Sequence, residues 1–132
     1  MIDDLRGLVE IESPSRDVEA LTRSAAQLSR LMTERLGSAP TIIDGDDGPH
    51  VWWSGGGTSR VLLVGHHDTV FPLGALATRP FTVADGRATG PGVFDMKGGI
   101  VQAIHGVAGL ADRSGVEILI TADEEVGSRT SR

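Results

Sequence analysis

The sequence predicts an α/β fold in which helices pack on a sheet. Residues 16–36 carry one long amphipathic stripe. Two apolar runs, Val61–Val64 and Val116–Thr121, read as buried strands. The order of segments is helix, helix, strands, helix, strand, without an internal repeat, a low-complexity tract or an interdomain linker.

Taken in order, residues 2–11 form a weakly amphipathic helix with Ile2, Leu5, Leu8 and Val9 on one side, and Ser13-Pro14-Ser15 breaks it. In residues 16–36, Val18, Leu21, Ala25, Leu28 and Met32 recur at spacings of three and four, the period of a helix with one apolar face. Ser15 is the expected N-cap, Asp17 and Glu19 fall in the first turn, and Gly37 is the expected stop. Thr41-Ile42-Ile43 is a short strand, Asp44 to Pro49 a turn, and His50 to Ser54 a strand followed by the turn Gly55-Gly56-Gly57. The three aspartates of the 44–49 turn lack the spacing of a calcium loop and read as a solvated loop. Val61–Val64 has no polar interruption, the pattern of a strand buried on both faces. Phe81-Thr82-Val83 and Arg87-Ala88-Thr89 flank Ala84-Asp85-Gly86 as a hairpin. Residues 97–112 are helical and apolar nearly all round, through Ile100, Val101, Ile104, Val107, Ala108 and Ala111.

At 132 residues the chain is long enough for one domain with a modest core. With 39% hydrophobic and 23% charged residues it is globular in composition rather than disordered. A net charge of -6 argues against an electrostatic grip on nucleic acid. There is no cysteine, so a disulfide framework and a thiolate metal site are both excluded, and any metal must be held by His and carboxylates. No run of 18 apolar residues exists to span a membrane. The acidic start Met1-Ile2-Asp3-Asp4 has no apolar core of a signal peptide, so a cytoplasmic location is expected.

Three clusters carry chemistry. Gly65-His66-His67-Asp68 directly follows a strand. In extended backbone His66 and Asp68 point one way and His67 the other. A metal-bound imidazole commonly donates its second N–H to a carboxylate, and Asp68 is placed for that. The plainer alternative is a surface histidine beside an unrelated aspartate. In Gly90-Pro91-Gly92-Val93-Phe94-Asp95-Met96-Lys97-Gly98-Gly99, one Asp stands among glycines before a helix. Its two oxygens suit it to bridge two metal ions, and its position also suits a helix N-cap. A phosphate loop is disfavoured, because the G-x-x-x-x-G-K-[ST] pattern is missing and Asp95 would repel an anion. Asp123-Glu124-Glu125 ends the last strand. Adjacent carboxylates repel, so a buried pair needs cations or protons, and a natural division is one metal ligand and one general base. The alternative is a solvated acidic turn.

Together, the H-x-D of His66-His67-Asp68, the Asp95-Met96-Lys97-Gly98-Gly99 turn and Glu124-Glu125 after a strand resemble the zinc-dependent aminoacylase and glutamate carboxypeptidase family of di-zinc metallopeptidases. The resemblance covers nearly the whole chain. It implies a three-layer, mixed-sheet α/β catalytic domain, here truncated after the Glu-Glu motif, with residues 1–132 as its N-terminal part. It implies two Zn2+, with His66 on one, Glu125 on the other and Asp95 bridging both. It gives Asp68 the task of orienting His66 and Glu124 that of general acid/base. It further implies a cis peptide between Asp95 and Met96, and a small peptide or N-acyl amino acid as substrate. Asp68-Thr69-Val70-Phe71 and Gly90-Pro91-Gly92 look closest to glutamate carboxypeptidases; an N-acyl-amino-acid deacylase is the alternative within the family, and a non-catalytic relic with a binding role the alternative outside it.

Members of that family also carry a further Asp ligand, a late His ligand and an inserted lid domain often used to form homodimers, and these have no counterpart in the sequence. His50 and His105 are not expected to substitute for them, because one opens a strand and the other lies in a buried helix. The expectation is therefore a fragment that by itself binds zinc weakly, turns over negligibly and tends to associate, its partner being the missing C-terminal part of the same enzyme.

Overall fold

A computed structural model describes residues 1–131. Helices α1 (Ile2–Val9) and α2 (Val18–Leu36) lead into strands β1 (Thr41–Ile43), β2 (His50–Ser54) and β3 (Val61–His66). A short helix α3 (Ala75–Thr78) and the hairpin β4 (Thr82–Ala84) with β5 (Arg87–Thr89) follow. An irregular turn, Val93–Lys97, then opens helix α4 (Gly98–Ala108), and strand β6 (Val116–Thr121) ends in a 3-10 turn, Glu124–Val126.

The sheet is mixed, in the order β1-β2-β6-β3. β2 pairs antiparallel with both β1 and β6, while β3 and β6 run parallel. Parallel neighbours need a long crossover, and α4 lies within the one that joins β3 to β6. The core forms where Leu5, Leu8 and Val9 of α1, Leu28 and Met32 of α2, and Ile100, Val101 and Ile104 of α4 meet Val51, Trp53, Ile118 and Ile120 of the sheet. Those four strand residues alternate along β2 and β6, so a single face of the sheet is turned to the helices.

Several boundaries differ from the sequence reading. Asp17, not Ser15, caps α2: its carboxylate accepts the Ala20 N–H at 2.9 Å, and α2 begins at Val18. Val18 of the predicted stripe is exposed, since it stands at the first turn, beyond the reach of the core. Gly37 ends α2 as expected, at φ 81°. α1 stops at Val9 and α4 at Ala108, which leaves Ala111 exposed on the following loop. Val61–Val64 is not buried on both faces. β3 is an edge strand of the described sheet, and Val61, Leu62 and Val64 are 48%, 49% and 60% exposed. Only Leu63 of that run packs against the core. Hydrophobicity marks a strand here without telling how many of its sides have neighbours.

Two polar ties hold the helices in place. Asp4 of α1 receives two bonds from the Arg35 guanidinium of α2, at 2.8 and 3.1 Å, and also meets His105 Nε2 of α4. The Arg35 bond is the main cause that holds the Asp4 carboxyl down at about 2, against an opposing push from burial, with His105 adding to the depression. Lys97 is 2% exposed, and its ammonium donates to the carbonyls of Leu8 at 3.0 Å and Ile11 at 2.9 Å. It thereby satisfies carbonyls at the C-terminal end of α1, where a cation is also favoured by the helix dipole. Burial pushes Lys97 down to about 8, and Glu12 partly opposes this.

The depressed Asp4 carboxylate contributes stability that is present in full above the ordinary value near 3.8 and lost as pH falls through about 2. Asp4→Asn should cost about 1 kcal/mol at neutral pH, a figure reduced for the solvent around Arg35, and urea denaturation from pH 5 to 2 should show a flatter pH dependence than wild type. Lys97→Met keeps most of the side-chain volume but orphans the Leu8 and Ile11 carbonyls, so it should destabilise by about 1–3 kcal/mol in the same assay.

Candidate metal centre

The parallel register sets His66 of β3 opposite Thr121 of β6. The His66-His67-Asp68 segment and the Glu124-Glu125 turn therefore leave the sheet side by side, at the carboxyl ends of two parallel strands, where α/β sheets characteristically form their clefts. The start of α4 faces the same end. Gly92 makes this approach possible: its φ is 69°, and a Cβ there would lie 2.7 Å from Thr69 Cγ2. Asp95 follows with non-helical backbone, and the Asp95–Met96 peptide is cis, as the resemblance implied. α4 starts only at Gly98 with Lys97 before it, so Asp95 is not its N-cap.

One ligand atom each from His66, Asp95 and Glu125 lie within 4.8 Å of one another. His66 is buried, with Nε2 3.1 Å from Asp95 Oδ1, while the Asp95 side chain is 68% exposed and keeps its other oxygen free of that contact. The Glu124 carboxylate points toward the same locus, with Oε2 3.8 Å from His66 Nε2, and is 53% exposed. The cleft in front of these groups measures about 370 Å3 and is lined by His66, Asp95, Met96, Thr121 and Glu124 with Ser128 and Ser131.

Asp68 lies behind the cluster with no exposed surface. Its Oδ1 accepts the Glu124 N–H at 3.2 Å and lies 3.4 Å from His66 Nδ1. Its Oδ2 accepts the Ser15 hydroxyl at 2.7 Å and the Glu125 N–H at 3.2 Å. The nearest acceptor to His66 Nδ1 is the carbonyl oxygen of Asp68, at 3.0 Å. A proton on Nδ1 donates there and leaves Nε2 directed at the cluster.

The electrostatics favour a cation. Burial opposes charging of His66, but the Asp68 and Asp95 carboxylates outweigh it and push the imidazole up to about 9. Burial raises Glu125; His66 eases the rise, and Asp95, Asp68 and Glu124 add to it. Asp68 is lowered despite its burial, by His66, Ser15 and the Glu125 N–H. One imidazole and crowded carboxylates with surplus negative charge form a donor set suited to a divalent ion such as zinc.

His67 points the other way, as its alternation predicts. It is 1% exposed, with Nδ1 3.0 Å from Ser24 Oγ and Nε2 3.0 Å from the Pro49 carbonyl oxygen, and burial pushes it down to about 4. His50 and His105 are outside the cluster: His50 Nδ1 accepts the Ala122 N–H, and His105 meets Asp4. Ser15 and Lys97 are the contributors that sequence reasoning missed. Ser15 had been assigned to the helix cap. Lys97 lay within a recognised motif, but nothing in its spacing signals a buried ammonium.

Comparison with known proteins places the chain in a family. Carboxypeptidase G2 of Pseudomonas sp. (strain RS-16) is 33% identical over 143 residues, covering 100% of this chain and 34% of that protein. Succinyl-diaminopimelate desuccinylase of Anaplasma marginale (strain Florida) is 42% identical over 74 residues, covering 54% of this chain and 19% of that protein. The chain thus spans about a third or less of the length of these relatives. Among solved structures, the M20 family metallo-carboxypeptidase Sso-CP2 from Sulfolobus solfataricus superposes with a TM-score of 0.81 at 20% identity, over 98% of this chain and 32% of that one. Human carnosine dipeptidase 1 gives 0.72 at 22% identity, over 97% and 32%. Residues 62–132, which contain all three clusters, match the family described as Peptidase family M20/M25/M40, and the chain belongs to that family.

Proposed function

We propose that the chain forms one wall of the metal centre of a hydrolase that cleaves a peptide or amide bond, most like a glutamate carboxypeptidase. The convergence of His66, Asp95 and Glu125 ligand atoms within 4.8 Å carries this reading. In it, His66 would hold one Zn2+, Glu125 a second, and Asp95 both. Bound there, the cations supply Lewis acidity toward a carbonyl oxygen. Asp68 holds His66 in the tautomer that frees Nε2, and through the two N–H bonds it fixes the turn that carries Glu124 and Glu125. Glu124, more than half exposed to the cleft, takes the proton of the attacking water and returns it to the leaving amine. Three ligand residues are too few for two complete zinc sites, so the remaining ligands would come from polypeptide outside these residues.

The likeness to carboxypeptidase G2 supports release of a carboxy-terminal residue from a small peptide or an N-acyl amino acid, and the resemblance carried by Asp68-Thr69-Val70-Phe71 and Gly90-Pro91-Gly92 favours glutamate as that residue. The desuccinylase likeness favours a second reading, removal of an acyl group from an amino acid nitrogen.

Equilibrium dialysis against Zn2+ and Co2+ tests the centre. His66→Ala should lower affinity by about tenfold or more; equal binding by wild type and variant would remove the proposal. In the polypeptide that carries these residues with the remaining ligands, Glu124→Gln should cut kcat for N-acylglutamate hydrolysis by about 10²–10⁴-fold while leaving zinc content unchanged. Zinc loss in Glu124→Gln would make Glu124 a ligand instead of the base.

A further inference from the structure

The sequence reads Ser13-Pro14-Ser15 as a helix breaker with Ser15 as a cap, yet the segment runs as a strap along residues 67–69. The Thr69 N–H donates to the Ser13 carbonyl at 2.9 Å, and the Ser15 N–H donates to the Thr69 carbonyl at 3.1 Å, with Pro14 and Thr69 in a parallel bridge. The Ser13 hydroxyl donates to the His67 carbonyl at 2.6 Å. Lys97 anchors the start of the strap through Ile11. A turn closed by the Asp17 N–H to the Pro14 carbonyl, with Arg16 at φ 69°, sets Ser15 at its corner. Non-glycine residues rarely adopt that φ, so the corner is a specified conformation rather than a default one.

The Ser15 hydroxyl has one proton and two acceptors in reach: Asp68 Oδ2 at 2.7 Å and the Thr69 carbonyl at 3.4 Å. The short bond to an ionised carboxylate wins, both by distance and by charge. It also decides how the Asp68 carboxylate is turned. With Oδ2 held by Ser15, Oδ1 faces His66 and the Glu124 N–H. Without Ser15, Oδ2 keeps only the 3.2 Å bond from the Glu125 N–H, and the carboxylate plane loses its firmest support.

We propose that Ser15 is a positioning residue of the metal centre, which acts through Asp68 to orient His66 and the Glu124-Glu125 turn together. It rests on the metal-centre reading above. The strap makes Ser15 a direct side-chain link between the segment joining α1 to α2 and the carboxylate behind the cluster.

The test uses Ser15→Ala, Ser15→Cys and Ser15→Thr, with Ser24→Ala as the control that removes a comparable inward hydroxyl from His67 on the other side of the strand. The first readout is amide hydrogen exchange in the metal-free protein. Ser15→Ala should speed exchange of the Glu124 and Glu125 amides by about tenfold or more beyond any global change. Ser15→Cys, of similar shape with a weak donor, should do the same, and Ser15→Thr should restore wild-type protection. Ser24→Ala should lower global stability without singling out those amides. The second readout is Zn2+ affinity, expected to fall about tenfold in Ser15→Ala and not in Ser24→Ala. Unchanged exchange at Glu124 and Glu125 in Ser15→Ala or Ser15→Cys overturns the proposal, as does a matching effect in Ser24→Ala. Equal Zn2+ binding by wild type and His66→Ala is a different result: it overturns the metal-centre reading, while the exchange arm still decides whether Ser15 sets Asp68.

Discussion

A single buried carboxylate organises the functional end of this fold. Asp68 has no contact with solvent and carries its charge nonetheless, because its oxygens accept from Ser15 and from the backbone of the Glu124-Glu125 turn, two distant parts of the chain, and one lies 3.4 Å from the His66 imidazole. An isolated ionised carboxylate in such a place would be strongly unfavourable, so each donor is needed for the others to be tolerated. The β3–β6 pairing brings the segments close. Asp68 then fixes their relative orientation to within hydrogen-bond geometry.

The cluster in front of Asp68 has the opposite character. Asp95 and Glu124 are more than half exposed, and burial, with like charges beside it, makes the ionisation of Glu125 harder. Rigid backing with an open, electrostatically frustrated front separates the group that positions from the groups that bind. A cation would ease that frustration, and the openness would give it access from the cleft.

How much of this was legible in the sequence follows from the range of each interaction. The α2 stripe, the Gly37 stop and the Asp85-Gly86 hairpin turn depend on neighbours within a few residues, and they lie where the sequence puts them. The opposed directions of His66 and His67 follow from strand alternation alone. His66, Asp95 and Glu125 were nameable from local motifs and a family resemblance, although their convergence spans 59 residues and needs the parallel pairing to bring it about. What failed depended on tertiary surroundings. The apolar content of Val61–Val64 marks a strand but cannot count the layers around it. Local rules make Ser15 the cap and put Asp17 in the first turn, but the Ser15 hydroxyl bonds Asp68, 53 residues away, and Asp17 caps the helix. The burial of Lys97 depends on where α1 ends, which the motif around Lys97 does not encode.

Lys97 has one more consequence. The other eleven basic side chains are all arginine, so Lys97 is the sole lysine in the chain. Within these residues, amine-directed chemistry, whether an acylating reagent or an enzyme that tags lysine, therefore meets an ε-amino group enclosed against the end of α1. Covalent marking at Lys97 would occur in molecules whose α1–α4 junction has opened, which makes this residue a natural internal recorder of the integrity of the fold beside the metal centre.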